Sequence, residues 1–271
     1  MTAFLNHFAF EFKTGLRNSN LLLMNYLFPL GFYAMMGLVM TEINPMFADS
    51  MIPAMVVFGI MVATMLGMPS PLVESREAGI LRSYRINGVP ALSILFIPAF
   101  TTVFHALIVS AVMALTGAPL FGGAAPVNWG AFAMITVAVA LSLAGLGALI
   151  GVVAGDTRAV ILVSQAIFLP SMLIGGLMMP LDLLPGSVKP FSLLLPATHA
   201  MQAYQGFAYD LQTVIDPRVS ISVLVGGGLL AFALAIHLFQ WDSHNRAERK
   251  RRLLLALLAM LPYVGTAIAL V

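Results

Sequence analysis

The sequence predicts an all-α polytopic membrane protein, with six transmembrane helices and a possible seventh hydrophobic helix at its C-terminal end. Three observations lead to this prediction. Of the 271 residues, 60% are hydrophobic and 9% are charged, and the mean hydropathy is +0.98. Apolar runs of about 20 residues, the length that crosses a bilayer, recur along the chain. A water-soluble core cannot hold this much apolar surface, so the solvent must be lipid.

Six apolar runs are long enough to be spans. The first follows Lys13 and Arg17 and is not followed by a small-residue cleavage site, so we expect it to be retained rather than removed as a secretory signal. A seventh run, 253–271, has no polar anchor after it, and whether it crosses the membrane, lies along its surface or packs on the bundle stays open. The six predicted spans are 20–40, 51–69, 91–116, 129–154, 159–179 and 219–241.

The basic residues predict the orientation of these spans. Eleven of the 13 lie in the segments before span one, after spans two and four, and after span six. Because Lys and Arg are enriched in cytoplasmic loops, these segments and the N-terminus are expected inside. The basic cluster at 246–252 is read as a topology anchor, with a lipid or partner site as the alternative.

The residues before span one predict an amphipathic helix on the cytoplasmic membrane surface. Phe4, Phe8 and Phe12 recur every four residues, while Lys13 and Arg17 fall on other faces. This aromatic stripe either anchors the chain or makes the helix a lever between a cytosolic partner and the spans. The sequence leaves both interpretations open.

The loop between spans two and three predicts an ordered helix. Ser70 can cap its start and Pro71 suits the first turn, whereas Gly88 suits the C-terminal cap and Pro90 prevents continuation. Acidic residues stand toward the positive end of this helix and Arg residues toward the negative end. No Glu of this loop has an Arg four residues later, so we expect these charges to be available to a partner.

The segment between spans five and six is proline-rich yet apolar. Pro180, Pro185, Pro190 and Pro196 forbid one continuous helix, since each removes a backbone hydrogen bond and clashes with the preceding turn. Backbone at membrane depth must still be satisfied or buried in protein. We therefore expect a pair of short helices that dips into the outer leaflet and caps the outer mouth of a pathway.

Several kinds of chemistry are not supported by the sequence. No lysine follows a glycine in a phosphate-binding loop, there is no cysteine, and the acidic residues lie in loops, termini or span ends. We expect no catalytic residue, no metal site and no nucleic-acid partner. Glycines on span four suit close helix packing, possible also at a subunit interface. The polar residues within spans are read as bonds between helices rather than proton relays: Asn25, His105, Gln165 and His237.

Two segments resemble those of the ABC-2-type permeases, the membrane subunits of drug, polysaccharide and lipid exporters with the type V, ABCG-like fold. One runs Glu74-Ser-Arg-Glu-Ala-Gly-Ile-Leu-Arg-Ser-Tyr-Arg85 and precedes Pro90. The other combines Gly175-Gly-x-x-x-Pro-x-x-x-x-Pro185 with Leu195-Pro-Ala-Thr-His199. The resemblance covers about residues 1–245, which we take as the permease domain. Residues 246–271, a basic segment and a hydrophobic helix, depart from the family pattern.

The resemblance implies a complex in a bacterial inner membrane. Two permease subunits, identical or different, would each rest on a separate ATPase that binds ATP and Mg, so this chain would hold no cofactor. It favours a daunorubicin-exporter-like multidrug system over polysaccharide export. The implied site residues are Glu74, Arg76, Glu77, Gly79, Arg82 and Arg85 in a coupling helix, Phe4, Phe8 and Phe12 in a connecting helix, and Gly176, Pro180, Pro185, Pro196 and His199 in an outer gate.

Three functions are carried forward. The first is a permease for amphipathic or lipid-like cargo, in which changing Glu77 and Arg82 should uncouple ATP hydrolysis from export. The second is an ion-coupled carrier that relies on His105 or His237. The third is a membrane scaffold that binds its partner through the basic tail. The lack of acidic residues within the spans favours the first over the second.

Overall fold

The computed structural model describes residues 19–44, 46–241 and 246–270, and all regular secondary structure in these ranges is helical. The prediction of an all-α polytopic membrane protein is confirmed. The predicted helix with Phe4, Phe8 and Phe12 lies outside the described residues. Within the described ranges, seven helices are long and apolar enough to cross a membrane, and we number them as spans one to seven: Leu23–Ile43, Met46–Glu77, Ala91–Phe121, Trp129–Val153, Thr157–Ile174, Pro217–Leu238 and Arg251–Leu270.

Several spans are built from more than one type of helix. Span one begins with a π-helical turn, Leu23–Leu27, and span two contains another, Val62–Gly67; the two turns pack against each other. The remaining helical segments are Ser19–Leu22, Phe28–Ile43, Met46–Met61, Pro69–Glu77, Ile80–Ile86, the 3₁₀ turn Leu181–Leu183, Lys189–Ser192, Pro196–Ala203, the π-helical Tyr204–Ala208, Arg246–Ala256, the 3₁₀ turn Leu257–Met260 and Leu261–Leu270.

Hydrogen bonds show which ends of the spans lie on the same side of the bundle. The loop after span three meets the start of span two, where Ala124 N donates to Ala48 O at 3.1 Å, and also the segment before span six, where Asn128 N donates to Ala208 O at 3.0 Å. At the opposite end, Arg76 in the last turn of span two bonds the end of span four. We call residues 69–90 the elbow and residues 175–216 the hairpin, and the two ends of the bundle the elbow end and the hairpin end.

Span two is the centre of the bundle. Of its most apolar stretch 94% is buried, compared with 22% for span five. Met51, Met55, Met61 and Met65 are fully buried along it. Their flexible side chains fill irregular gaps between neighbouring helices, as expected for methionine in a core.

Glycines let span four approach its neighbours closely. A Cβ on Gly147 would lie 2.0 Å from the carbonyl oxygen of Thr64 in span two, and a Cβ on Gly145 would lie 2.3 Å from the carbonyl oxygen of Gly228 in span six. The suggestion that these glycines form a subunit interface is therefore wrong for this pair. Both positions are used within the chain, where any larger residue would push two backbones apart.

Span seven packs along span six and runs toward the hairpin end. Tyr263 is fully buried against span six, where a Cβ on Gly227 would lie 2.5 Å from its ring. One turn later, Ala267 packs against a small apolar cluster that includes Leu181 and Leu193 of the hairpin. The open question about the last apolar run is thus answered: it packs on the bundle as a further span-length helix.

Candidate functional site

The elbow is a direct extension of span two and bends once. Met68 has helical backbone angles, φ −74° and ψ −38°, so the helix passes through Ser70 without a break. It ends at Glu77, and a second helix begins after Gly79, whose φ is +73°. The prediction of one helix capped by Ser70 is wrong, because glycine adopts this left-handed conformation at little cost and ends the first helix.

Arg76 joins the elbow to span four. Its side chain is 6% exposed, and its guanidinium donates to the carbonyl oxygens of Val152 at 2.9 Å, Gly151 at 3.5 Å, and Ala154. These carbonyls belong to the last turn of span four, where the helix dipole is negative and backbone acceptors lack intrahelical partners. The expectation that the charges of this segment are available to a partner is wrong for Arg76, which is an internal anchor.

The rest of the elbow has one packed side and one exposed side. Val73 and Leu81 are buried, at 0% and 1% exposure. Two large apolar side chains, by contrast, are exposed on the second helix, Ile80 at 44% and Ile86 at 79%. The charged side chains predicted for a coupling role are exposed as well: Glu74, Glu77, Arg82 and Arg85. This end therefore presents a mixed charged and apolar surface.

The hairpin consists of short helical segments separated by prolines, as the proline spacing predicts. Span five stops at Ile174, and Gly176 has a φ of +89°, which reverses the chain. Pro180 immediately precedes the turn Leu181–Leu183, Pro185 is exposed, and Pro196 begins the helix Pro196–Ala203. In place of the predicted pair of short helices, four helical segments precede span six, and the last two, Pro196–Ala203 and Tyr204–Ala208, are contiguous.

His199 lies at the centre of the hairpin. It is fully buried, its Nε2 bonds the carbonyl oxygen of Leu193 at 2.9 Å, and its ring lies 5.5 Å from that of Tyr263 in span seven. Burial lowers the pKa of His199, and the bond to Leu193 opposes this effect. The imidazole is thus held neutral and links the hairpin to the C-terminal helix.

Gln202 closes the hairpin onto itself, a role that no feature of the sequence indicated. Its Oε1 accepts from the backbone N–H groups of Val214 at 2.8 Å and Ile215 at 3.1 Å, and its Nε2 donates to Gln205 Oε1 at 2.8 Å. Two residues further on, the Tyr204 hydroxyl bonds Thr136 of span four at 2.8 Å. Gln202 and Tyr204 thus use their polar groups inside the protein.

The polar residues within the spans do not form one site. Asn25 is buried in the π-helical turn of span one, and His105 of span three bonds the Tyr26 hydroxyl. Gln165 is half-buried and His237 is exposed. In the described part of the chain, no group of three His, Asp or Glu side chains is placed to hold a metal ion. The elbow and the hairpin remain the two candidate functional regions.

Comparison with known proteins agrees with these features. A family model described as ABC-2 type transporter matches residues 2–209, a stretch that includes the elbow and most of the hairpin. The searches of curated proteins and of solved structures found no match. Because the family model covers well over half of the chain, this protein belongs to the ABC-2 type transporter family, as a multi-pass membrane component of an ABC transporter.

Proposed function

We propose that this chain is the permease subunit of an ATP-driven exporter and that a separate ATPase docks on the elbow. The observation that carries the proposal is the two-sided elbow. One side exposes acidic, basic and apolar side chains, among them Glu77 and Ile86. The other side is fastened to span four through Arg76. A surface of this composition suits a protein partner, in which apolar contacts give affinity and charges give specificity.

The anchoring of Arg76 supports a mechanical role for the elbow. Its guanidinium bonds three carbonyl oxygens at the end of span four, those of Gly151, Val152 and Ala154, so the elbow cannot move far without moving that helix. The first elbow helix is also continuous with span two. A push from an ATPase would therefore reach two spans at once, through covalent continuity in one case and charged hydrogen bonds in the other.

ATP and Mg are assigned to the partner. The chain has three lysines, which follow Phe12, Val188 and Arg249, and none of these belongs to a Gly-Lys-Ser/Thr phosphate-binding loop. The energy source must then be supplied by the second polypeptide. This chain contributes the path and the surface that receives the motion, without a cofactor of its own.

We place the elbow end in the cytoplasm of a bacterial cell and the hairpin end outside its inner membrane. Eleven of the 13 basic residues follow or precede spans at the elbow end, in line with the enrichment of Lys and Arg in cytoplasmic loops. The N-terminus is then cytoplasmic. The hairpin becomes the outer gate, with His199 and Gln202 buried in its interior and bonded to its own backbone.

A second permease subunit, identical or homologous, would complete the path. Span five offers the least buried apolar face in the middle of the chain, where Ile161, Leu162, Leu169 and Leu173 are each more than half exposed. A path between such faces would be lined by apolar and neutral side chains. This suits amphipathic cargo such as drugs or lipids better than a bare ion.

The test is purification of the tagged chain from its native host in mild detergent, followed by identification of its partners and measurement of ATP hydrolysis. We expect a soluble ATPase with a phosphate-binding loop to co-purify, and its activity to fall several-fold when Glu77→Ala and Arg82→Ala are combined. Asp182→Ala, an exposed carboxylate on the hairpin, is the matched control and should change nothing. A chain that emerges alone, without hydrolysis, contradicts the proposal.

A further inference from the structure

A groove of about 460 Å³ lies between spans three, four and six. It has about three times the volume of a 150 Å³ engineered apolar cavity that stays dry and binds benzene. Among the described residues that line it, Ser142 carries the only polar side chain. No residue of the elbow or the hairpin contributes to its lining. The groove is therefore separate from both candidate functional regions.

The floor of the groove is fixed by backbone contact. Spans four and six touch through Gly145 and Gly228, and a Cβ on Gly228 would lie 2.3 Å from the Cα of Ser142. Ala99 and Val103 of span three close the side of the floor and are 6% and 5% exposed. Small residues at this crossing hold the helices together and leave a furrow that no side chain of the described residues fills.

The rim of the groove faces sideways, out of the bundle. Phe100 is 44% exposed, Leu141 is 54% exposed and Leu229 is 68% exposed. All three residues lie well inside their spans, at least two turns from either end. The opening is thus at the depth of the hydrocarbon core, where acyl chains rather than water surround the protein.

Span seven does not cover the groove. It packs on the Gly227 side of span six, where Tyr263 sits, while the groove is formed on the Gly228 side. A transmembrane helix of a second copy is about 10–12 Å wide with its side chains, too wide to enter a furrow between touching helices. A single extended hydrocarbon chain has the slender shape that such a furrow accepts.

We propose that this groove is a binding site for one acyl chain of a membrane lipid, which packs lengthwise between spans three, four and six. The proposal requires only that the spans lie in a bilayer, and it is independent of any ATPase or transported cargo. Contact with the exposed phenylalanine and leucine side chains would supply the affinity, and the lipid headgroup would remain at the membrane surface.

Brominated lipid tests this site, because bromine quenches a nearby indole. The two native tryptophans are replaced in a Trp129→Phe, Trp241→Phe background, and Phe100→Trp places a reporter on the rim. The protein is reconstituted in vesicles of dioleoylphosphatidylcholine or its dibrominated analogue. Ala138→Phe, which adds a ring to the lining, should lower the quenching of the reporter at least twofold. Ala133→Phe, exposed on the same span outside the lining, should leave it unchanged.

A second filling variant from another helix, Val225→Phe, should act like Ala138→Phe. Size-exclusion chromatography checks that each variant remains folded. Equal quenching in Ala138→Phe, Val225→Phe and Ala133→Phe would show an ordinary lipid-facing surface and would overturn the proposal. Weak quenching in the reporter background itself would mean that a second copy of the chain or residues 1–18 cover the groove, and would also overturn it.

Discussion

The two ends of the bundle use their polar residues in opposite ways. At the elbow end the acidic residues Glu74 and Glu77 are exposed, and the second elbow helix also exposes Ile86. At the hairpin end His199 and Gln202 are buried and bond the hairpin's own backbone. These elbow side chains remain available to another molecule, while His199 and Gln202 are used inside the hairpin.

This difference shows how one chain can be movable at one end and closed at the other. The connection of the elbow to span four includes the buried guanidinium of Arg76, which bonds three carbonyl oxygens. The hairpin is held by several separate contacts, among them the hydrogen bonds of Gln202 to the backbone and the ring contact of His199 with Tyr263 of span seven. Loss of the Arg76 side chain should therefore lower stability more than loss of any one hairpin contact, and the following substitutions test that order.

The largest effect is expected at Arg76. Arg76→Ala removes charged hydrogen bonds to span four and leaves buried carbonyls without a donor, so we expect a loss of about 3 kcal/mol in the free energy of unfolding. Arg76→Lys, a point charge without the guanidinium fork, should lose less. Arg85→Ala, at an exposed position, should stay within about 0.5 kcal/mol. Chemical denaturation in detergent measures the stability of all three variants. Equal losses for Arg76→Ala and Arg85→Ala would show that Arg76 does not anchor the elbow to span four.

The second-largest loss of stability is expected at Gln202. Gln202→Ala leaves the N–H groups of Val214 and the buried Ile215 without their acceptor, which should cost about 2 kcal/mol. Gln205→Ala removes one acceptor of the Gln202 amide but leaves both backbone bonds in place, so it should cost less. The same denaturation experiment compares them. A larger loss from Gln205→Ala would show that these backbone bonds do not hold the hairpin.

Adjacent glycines of span six give a matched pair for the contact with span seven. Gly227→Ala must displace the buried ring of Tyr263, whereas a Cβ on Gly226 meets nothing within 4 Å. We expect Gly227→Ala to destabilise the protein by about 1–2 kcal/mol through overpacking. Gly226→Ala should be neutral or stabilising by up to about 1 kcal/mol, since alanine favours helix. Equal unfolding midpoints for the pair would show that span seven does not pack tightly here.

The smallest expected effect is a pH dependence at His199. Burial lowers the pKa of this imidazole in the folded chain, while the unfolded chain binds a proton near the ordinary value of about 6.5. Below about pH 6.5 the unfolded state binds more protons than the folded state. The contribution of His199 to the free energy of unfolding is therefore full above about pH 6.5 and falls as the pH drops toward the folded-state pKa.

The His199→Gln variant should lose this dependence, because an amide does not titrate over the same range. The measurement is the unfolding midpoint at a series of pH values from about 8 to about 5. His237→Gln, at an exposed position of span six, is the control and should keep the wild-type slope. A His199→Gln variant with an unchanged slope would assign the acid sensitivity to another group.

The sequence predicts most of the fold because the length of each apolar run is enough to define a span. It predicts the bend at Gly79 poorly, since a glycine between two helix-forming segments is also compatible with one irregular helix. It cannot predict the anchor of Arg76, whose acceptors lie more than 70 residues away in the chain. The roles of Gln202 and Tyr263 are missed for the same reason, because both depend on tertiary contacts with segments that local patterns do not connect.

The central claim is that a nucleotide-binding ATPase meets the elbow and not the hairpin. The chain contains no cysteine, so single cysteines at Glu77→Cys and Gly186→Cys give unique attachment points; a Cβ at Gly186 meets nothing within 4 Å. Native-host membranes are treated with a short thiol-to-amine cross-linker, and the adducts are identified by mass spectrometry. We expect an ATPase adduct from Glu77→Cys and none from Gly186→Cys. No ATPase adduct from Glu77→Cys, or one from Gly186→Cys, would contradict the claim.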